Sequence, residues 1–593
     1  MDRSEILHQL SDNPNVSVLI IGAGINGIGV FRDLALNGVD VLLIDRGDFC
    51  SGASSASSHM AHGGIRYLEN GEFRLVREAV HERDRLIENA PHLVRPLPTV
   101  VPIFKIFSGL LNAPLKFFNL LNRPAERGAL VIKIGLMLYD AFTSRQGTVR
   151  SAACASTAGT GERSRRIPRH KFEGRRKSLE KYPQLNPDIK YTATYYDGQI
   201  LSPERLAVEL MLDGEAEGPH ARALNYVSLV GADGMKVTLR DELNPPSTFN
   251  LQPTLIVNAA GPWIDPVNLA LGLSHRYIGG TKGSHLVLDH PELRAAIGAN
   301  EFFFENKDGR IVLIFPFHDK VIIGTSDIPI ENVDEARCTG EEVDYFIGLV
   351  ARVFPAIRVT REHIVFQFSG VRPLPYSTAK TTGQITRDHV IHKDRFGDIP
   401  VYSLVGGKWT TYRAFAEQVT DRVLAALGQT RTADTKSLPI GGGRNYPLDG
   451  EARAKYIQKV VEETRLEGLH VQQLFERYGT RALELAAFIQ ANDERPNVSA
   501  DIRLNSFVRF ASVVHRREVE FLVEREKAVH VDDVLLRRST LAWLGQASLP
   551  LVEELADSMG SVLGWTEEQK KAEVRRALDV LSDRHGVDLV SGW

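Results

Sequence analysis
The chain has 593 residues, 43% of them apolar and 24% charged, with a formal net charge of −3. That length exceeds what one hydrophobic core supports, so two or more domains are expected, and the balanced charge gives no electrostatic case for nucleic acid. Three scattered cysteines, Cys50, Cys154 and Cys338, form no pair and no CxxC spacing, which argues against a disulfide framework or a zinc site and suits a reducing cytoplasm.

In chain order, the first fourteen residues, MDRSEILHQLSDNP, lack the apolar core of a secretory signal and the bias of a transit peptide. No uninterrupted apolar run reaches the ~18 residues of a membrane span. The stretch Val16 to Asp45 then predicts strand, glycine turn, helix and second strand. Val18 to Ile21 run into Gly22-Ala23-Gly24, a helix starts near Ile25, and Val39 to Ile44 form a strand ending on Asp45. In Gly22-x-Gly24-x-x-Gly27 the first glycine makes the turn, the second admits a pyrophosphate, and the third lets helix and strand pack closely. The helix N-terminus favours an anion. Asp45 is placed to accept adenosine ribose hydroxyls and to repel a 2′-phosphate, so FAD or NAD is the expected ligand.

Further on, the segment from Ser51 is too rich in Ser and Gly for a core element and precedes a helical pattern from Glu72 to Asn89. The succession GAGINGIG, SSASS, HGGIRYLE and EFRLVREAV resembles the FAD-dependent glycerol-3-phosphate dehydrogenases of aerobic bacteria and mitochondria. The resemblance implies that Gly22, Gly24, Ile25, Asn26 and Gly27, with Asp45 and Arg46, hold the adenosine diphosphate portion of FAD. It implies that Ser54, Ser55 and Ser57 wrap the pyrophosphate and ribitol, and that His62, Gly63 and Gly64 lie beside the isoalloxazine, followed by Arg66 and Tyr67 at the substrate. One departure is visible: His59-Met60-Ala61-His62 stands where the family usually has Lys-Leu-Ile-His, so an imidazole replaces a cation.

Residues 103–139 carry three short apolar runs with isolated lysines, 103–111, 115–121 and 129–139. Two readings stay open: helices lying in one membrane leaflet with snorkelling lysines, or a buried hairpin or dimer interface. The basic stretch Arg163 to Lys177 reads as a solvated loop or as a contact for anionic headgroups. Tyr195 to Gln199 predicts a strand and Ser202-Pro203 opens a helix with Pro at its first position. Strands are expected through Arg222 to Leu239. A buried strand then ends in Ala259-Ala260-Gly261-Pro262-Trp263, matching the family's motif beside the FAD adenosine, so Ala260, Gly261 and Trp263 join the cofactor set.

Lys282-Gly283-Ser284-His285, Phe315-Pro316 and Gly324-Thr325-Ser326-Asp327 match substrate-domain motifs of the family, and Ser369 to Leu374 and Thr386-Arg387-Asp388 follow them. Gly406-Gly407-Lys408-Trp409-Thr410 is a glycine turn feeding a helix, a second anion-binding terminus, with Gly407, Lys408 and Thr410 implied at the flavin. After residue 443 helical patterns with charged faces follow, including Glu451 to Thr464, Val519 to Val529 and a capping box at Thr566 to Gln569.

The expected fold is α/β: a discontinuous Rossmann-like FAD-binding domain (about 14–95, 200–262 and 369–435), an inserted antiparallel-sheet substrate domain (about 96–199 and 263–368), and an all-helical domain at 446–593. The resemblance implies oxidation of sn-glycerol 3-phosphate to dihydroxyacetone phosphate by hydride transfer to FAD, with electrons passing to a membrane quinone. A single dinucleotide fingerprint favours quinone over NAD as acceptor. An erythritol phosphate dehydrogenase, an oxygen-using glycerophosphate oxidase and a non-catalytic nucleotide-binding module remain alternatives. A phosphate dianion needs permanent cations, and the motifs that the resemblance places around the active site carry Arg66, Arg372 and Arg387, assigned to the substrate, Lys408, assigned to substrate and flavin, and His62 and His285, either of which is the expected proton acceptor. The family is peripheral on the inner face of the cytoplasmic membrane and dimeric, and both are carried here as expectations.

Overall fold
The structure, a computed structural model, describes residues 2–65, 72–108, 128–143, 167–243, 245–306, 310–377, 385, 388–491 and 515–589. At its centre the strand Asn15–Ile21 lies between Val41–Ile44 and Ser247–Asn258. Ala221–Leu224 extends the sheet on one side and Ile399–Val405 on the other, all parallel, and Val390–Phe396 closes an edge antiparallel. Val18 to Ile21 form an unbroken apolar run because both faces of the strand are covered. Val18 and Ile20 share a core with Ile28 and Phe31 of the helix Ile25–Leu36 and Phe415 of the helix Tyr412–Ala426. Leu19 and Ile21 meet Ile6 and Leu10 of the helix Arg3–Asp12. Strand order reverses at Asn15–Ile21, so the turn at Gly22 opens where doubly wound sheets bind their ligands. The second strand begins at Val41 rather than Val39, because the Val39 N–H is spent on the Leu34 carbonyl at the helix end.

A second, mixed sheet has the order Ile328–Pro329, Thr281–Leu288, Lys320–Gly324, Ile311–Phe317, Glu301–Glu305, Val94–Ile103, Tyr191–Ile200 and Met60–Ala61, with Ile364–Arg372 pairing along Thr281–Leu288. Its strands also alternate between two cores. Val312 and Ile314 pack with Leu349 and Val353 of the helix Gly340–Val353. Leu313, Phe315 and Phe317 pack with Leu522, Trp543 and Leu555 of the C-terminal helices. Helices Gly450–Thr464, Gly468–Tyr478 and Ala482–Ala491 enclose a further core around Leu474 and Phe475. Helix Arg516–Glu526 joins this core through Phe521 and the sheet through Leu522. The Thr566–Gln569 capping box is present and starts the helix Glu567–His585.

One expectation changes. The described part of the basic stretch is not a solvated loop: Lys171–Gly174 is an edge strand on Tyr191–Ile200, anchored by Phe172 against Tyr191 at 5.2 Å, and Arg175–Lys181 is a helix. Residues 163–166 lie outside the described residues. Of the 103–139 run, the strand Val94–Ile103 takes the beginning and the helix Ala129–Thr143 the end, while 109–127 lie outside the described residues.

Candidate functional site
The glycine turn is built as its spacing requires. Gly22 has φ +106°, and a Cβ there would lie 2.7 Å from the Ala259 carbonyl; a Cβ on Gly27 would collide with the Gly22 carbonyl oxygen. Around the helix N-terminus, the Ser54 hydroxyl accepts the Ile25 N–H at 3.0 Å, and a Cβ on Gly24 would come within 3.1 Å of that hydroxyl. Asp45 accepts the Ala23 N–H at 2.7 Å and the Gly47 N–H at 2.9 Å, and burial pushes its carboxyl up to about 6. Arg46 lies 4.7 Å over the Trp263 ring, and both side chains bond Asp334. The Ala260 N–H is held by the Asn258 side chain.

Distant motifs close on this turn. Asn26 donates to the Gly406 carbonyl at 3.0 Å, and a Cβ on Gly407, at φ +85°, would meet the Asn26 side chain. The Trp409 indole donates to the Ser54 carbonyl at 2.8 Å. Ser55 closes its own turn on the Gly52 carbonyl, and Ser57 accepts the His59 N–H. Thr410 Oγ1 is buried without a hydrogen-bond partner among the described residues. Lys408 is half-buried, its charge opposing the burial that raises the nearby Glu72 carboxyl.

The second half of the site lies on the other sheet. His285 and Arg372 stand on paired strands, with His285 opposite Phe368 and Thr281 opposite Arg372. The Ser58 hydroxyl meets His285 Nε2 at 2.8 Å, and the ring stacks on Phe368 with centroids 4.7 Å apart. Burial, then the Arg372 charge, holds the imidazole well below its ordinary range, so it is neutral at physiological pH. Arg372 donates to Thr325 Oγ1 at 2.8 Å and to the Ser326 carbonyl at 3.1 Å, and its other nitrogen faces Asp327 at 3.3 Å. Gly283 and Gly324 make the room: a Cβ on either would collide with Arg372 or His285 respectively. His62 is half-buried, Gly63 donates its N–H to Asp197 at 2.8 Å, and Gly64 has φ +76°.

His59 carries no charge. Its ring is enclosed by Phe317 at 5.4 Å and Trp543 at 5.1 Å, and burial pushes it down to about 3. The exchange of the family's lysine for His59 therefore removes a cation instead of substituting a titrating one. Arg66, Tyr67 and Arg387 lie outside the described residues. Ser58 and Thr325, which touch His285 and Arg372, carried no role in the sequence reading. Ser58 sits 227 residues from its partner, and no local spacing could pair them.

The geometry fits a dinucleotide: a glycine turn that side chains would fill, a serine hydroxyl at a helix N-terminus, an orphan threonine hydroxyl, and a carboxylate at the second strand's end. A flavin-type nucleotide fold bordering a sheet that carries an imidazole and a guanidinium defines a dinucleotide-dependent oxidoreductase. Residues 17–413 match the family model described as FAD dependent oxidoreductase, and residues 433–570 match the C-terminal domain of alpha-glycerophosphate oxidase. The chain is 33% identical over 588 residues to a glycerol-3-phosphate dehydrogenase of Synechocystis, covering 95% of this chain and 96% of that protein. It is 31% identical over 542 residues to the D-erythritol 1-phosphate dehydrogenase of Brucella abortus, covering 89% and 95%. Its fold is similar to that of a Bacillus halodurans glycerol-3-phosphate dehydrogenase, at 21% identity and a TM-score of 0.70, over 99% of this chain and 98% of that one. The chain belongs to the FAD-dependent glycerol-3-phosphate dehydrogenase family, as an enzyme with FAD as cofactor.

Proposed function
We propose that the enzyme oxidises sn-glycerol 3-phosphate to dihydroxyacetone phosphate and passes the electrons to a membrane quinone. FAD, when bound, accepts a hydride from the carbinol carbon. The observation that carries the reading is the neutral His285 imidazole, held by Ser58 of the 54–58 loop, beside the Arg372 guanidinium held by Thr325. A neutral imidazole can take the hydroxyl proton as the hydride leaves, and a guanidinium held by Thr325 and Ser326 is oriented to bind phosphate or the oxidised oxygen. In this reading Arg66, Tyr67 and Arg387 complete the substrate site, Lys408 serves substrate and flavin, and His62 is the alternative proton acceptor. In this reading the cofactor residues other than Trp263 fall within 14–95, 200–262 and 369–435, with Trp263 and His285 on the inserted segment.

Anaerobic mixing of purified protein with sn-glycerol 3-phosphate should bleach the flavin absorbance within the time of turnover. Slow or absent bleaching by erythritol 1-phosphate is expected, and the reverse preference would move the substrate to four carbons, as in the Brucella relative's name. Arg372→Met should slow bleaching by at least a hundredfold at unchanged flavin content and unchanged reduction by dithionite. A wild-type rate in that variant would remove Arg372 from the phosphate site.

Peripheral membrane attachment is part of the same proposal. Among the described residues no helix is long and apolar enough to cross a membrane. Helix Ala129–Thr143 nevertheless exposes Leu130, Ile134, Met137 and Leu138 along one face, and Phe107 is also exposed. That arrangement supports a helix lying in the interface.

A further inference from the structure
We propose that Tyr139, Asp197 and Arg83 are positioning residues that fix the His62–Gly63–Gly64 turn, and through it the flavin environment and the rate of substrate oxidation. The proposal rests on the preceding reading that this turn borders the reacting centre.

Three elements converge behind the turn. Asp197 lies on the strand Tyr191–Ile200, which pairs with Met60–Ala61 immediately before it through Gly198 opposite Ala61. Its Oδ1 accepts the Gly63 N–H at 2.8 Å and the Tyr139 hydroxyl at 3.0 Å, with Arg83 Nη1 at 3.4 Å. Arg83, from the helix Phe73–Asn89, donates through the same Nη1 to the Tyr139 hydroxyl at 2.6 Å and to the Tyr196 carbonyl at 3.1 Å, while its Nε and Nη2 grip Asp84 at 2.9 and 2.7 Å. Tyr139 comes from the helix Ala129–Thr143. A Cβ on Gly63 would collide with the Tyr139 hydroxyl, so the turn and the phenol are fitted to each other.

The Arg83 side chain is wholly buried and Asp197 nearly so. Burying such a charge pair is a poor route to stability, because desolvation offsets the attraction. What the network does accomplish is directional. It fixes one backbone N–H by a charge-assisted bond, and Tyr139, Asp197 and Arg83 each hold the other two, so the turn is defined by side chains from one strand and two helices. Ionisation of the phenol is suppressed by burial, leaving Tyr139 as a donor to Asp197. Outside that network, Asp197 has no other polar side chain within hydrogen-bond distance among the described residues.

The test uses Tyr139→Phe in the full-length, FAD-loaded enzyme. The ring is kept and Arg83 still faces Asp197, so the variant should fold and retain flavin. Hydrogen exchange of the segment containing the Gly63 amide is expected to quicken at least tenfold, the visible flavin band to shift, and bleaching by sn-glycerol 3-phosphate to slow at least tenfold with a smaller change in KM. If the variant sheds FAD, the exchange comparison is made between flavin-free wild type and flavin-free variant, and quicker exchange remains the expected result. Wild-type exchange together with an unshifted flavin band would overturn the proposal. Failure of the wild-type enzyme to be bleached by sn-glycerol 3-phosphate would instead remove the substrate reading, since exchange and spectrum need no substrate.

Discussion
A side chain at Gly27 has nowhere to go: its Cβ would run into the Gly22 carbonyl oxygen and toward Ala259. Gly27→Val should therefore part the helix from the strand and give colourless protein, and Gly24→Val should do so by displacing Ser54 from the helix N-terminus. Gly38, at φ +72° with nothing within 4 Å, is the control: Gly38→Ala should cost about 1 kcal/mol through backbone conformation alone and stay yellow. The ratio of flavin to protein absorbance separates the first two from the control. Gly24 and Gly27 were legible in the sequence because their spacing from Gly22 in the strand-to-helix turn is local, whereas their contacts with Ser54 and Ala259 were not. The glycines at 283 and 324 appeared only as motif letters, since what they make room for, Arg372 and His285, reaches them across strand pairs. Asp197 was legible only as a position within the strand at Tyr195 to Gln199; its bond to Gly63 spans 134 residues and no spacing rule reaches it.

Single elements carry the next set of consequences. Helices with one apolar face and short capped ends were readable to within a few residues, as at Ile25, Pro203 and Thr566, because periodicity and capping are local. The edge strand at Lys171–Gly174 was not, because four residues rich in charge show no alternation and the pairing partner decides. Helix Ala129–Thr143 has two faces: Leu136 and Tyr139 are buried, while Ile134 and Met137 are 51% and 58% exposed. Ile134→Glu with Met137→Glu should move the enzyme to the soluble fraction with its flavin, whereas Leu136→Glu should destabilise it through a buried unpaired carboxylate. Sedimentation with membranes and flavin content distinguish the outcomes; a folded double variant that still sediments would remove this face from the contact. On the strand Glu301–Glu305, the Glu301 carboxylate accepts the Thr99 hydroxyl alone among the described residues, and burial, only partly opposed by that bond, pushes its carboxyl up to about 8. The folded state then binds more protons than the unfolded one between the ordinary carboxyl range and pH 8, so this group's contribution to stability falls as pH rises through that window. Glu301→Gln should melt a few degrees, ~2–4 °C, above wild type at pH 8 and lose that advantage by pH 5.

At the scale of the whole molecule, the C-terminal helices are tied to the nucleotide turn by buried charge. Asp48, three residues beyond Asp45, is fully buried and accepts Arg537 Nε at 2.7 Å, Arg538 Nη1 at 2.8 Å and Nη2 at 3.0 Å, and Asn225 Nδ2 at 3.0 Å. Beside it Glu526 takes the Arg205 fork at 2.6 and 2.7 Å and the Arg481 guanidinium at 3.3 Å, and its carbonyl accepts Arg538. No local spacing around Arg537-Arg538 points to this partner, which is 489 residues away from Arg537. Such a network adds little net stability over an apolar interface, but removing one member leaves buried charge short of a partner, at a cost of up to about 3–5 kcal/mol; Arg537 keeps Asp532 and Asp533 when Asp48 is lost. Asp48→Asn leaves two buried guanidiniums without their shared carboxylate, so unfolding should begin several degrees lower. Because Asp48 borders both the 45–58 loop and the helices, flavin release and helix melting should fall together. Arg74→Ala, which breaks an exposed pair with Asp388, should leave both unchanged. Flavin fluorescence and far-ultraviolet circular dichroism followed in one thermal ramp decide it: if Asp48→Asn sheds its flavin well before the helices melt, the cluster anchors the loop alone and does not join the two domains into one cooperative unit.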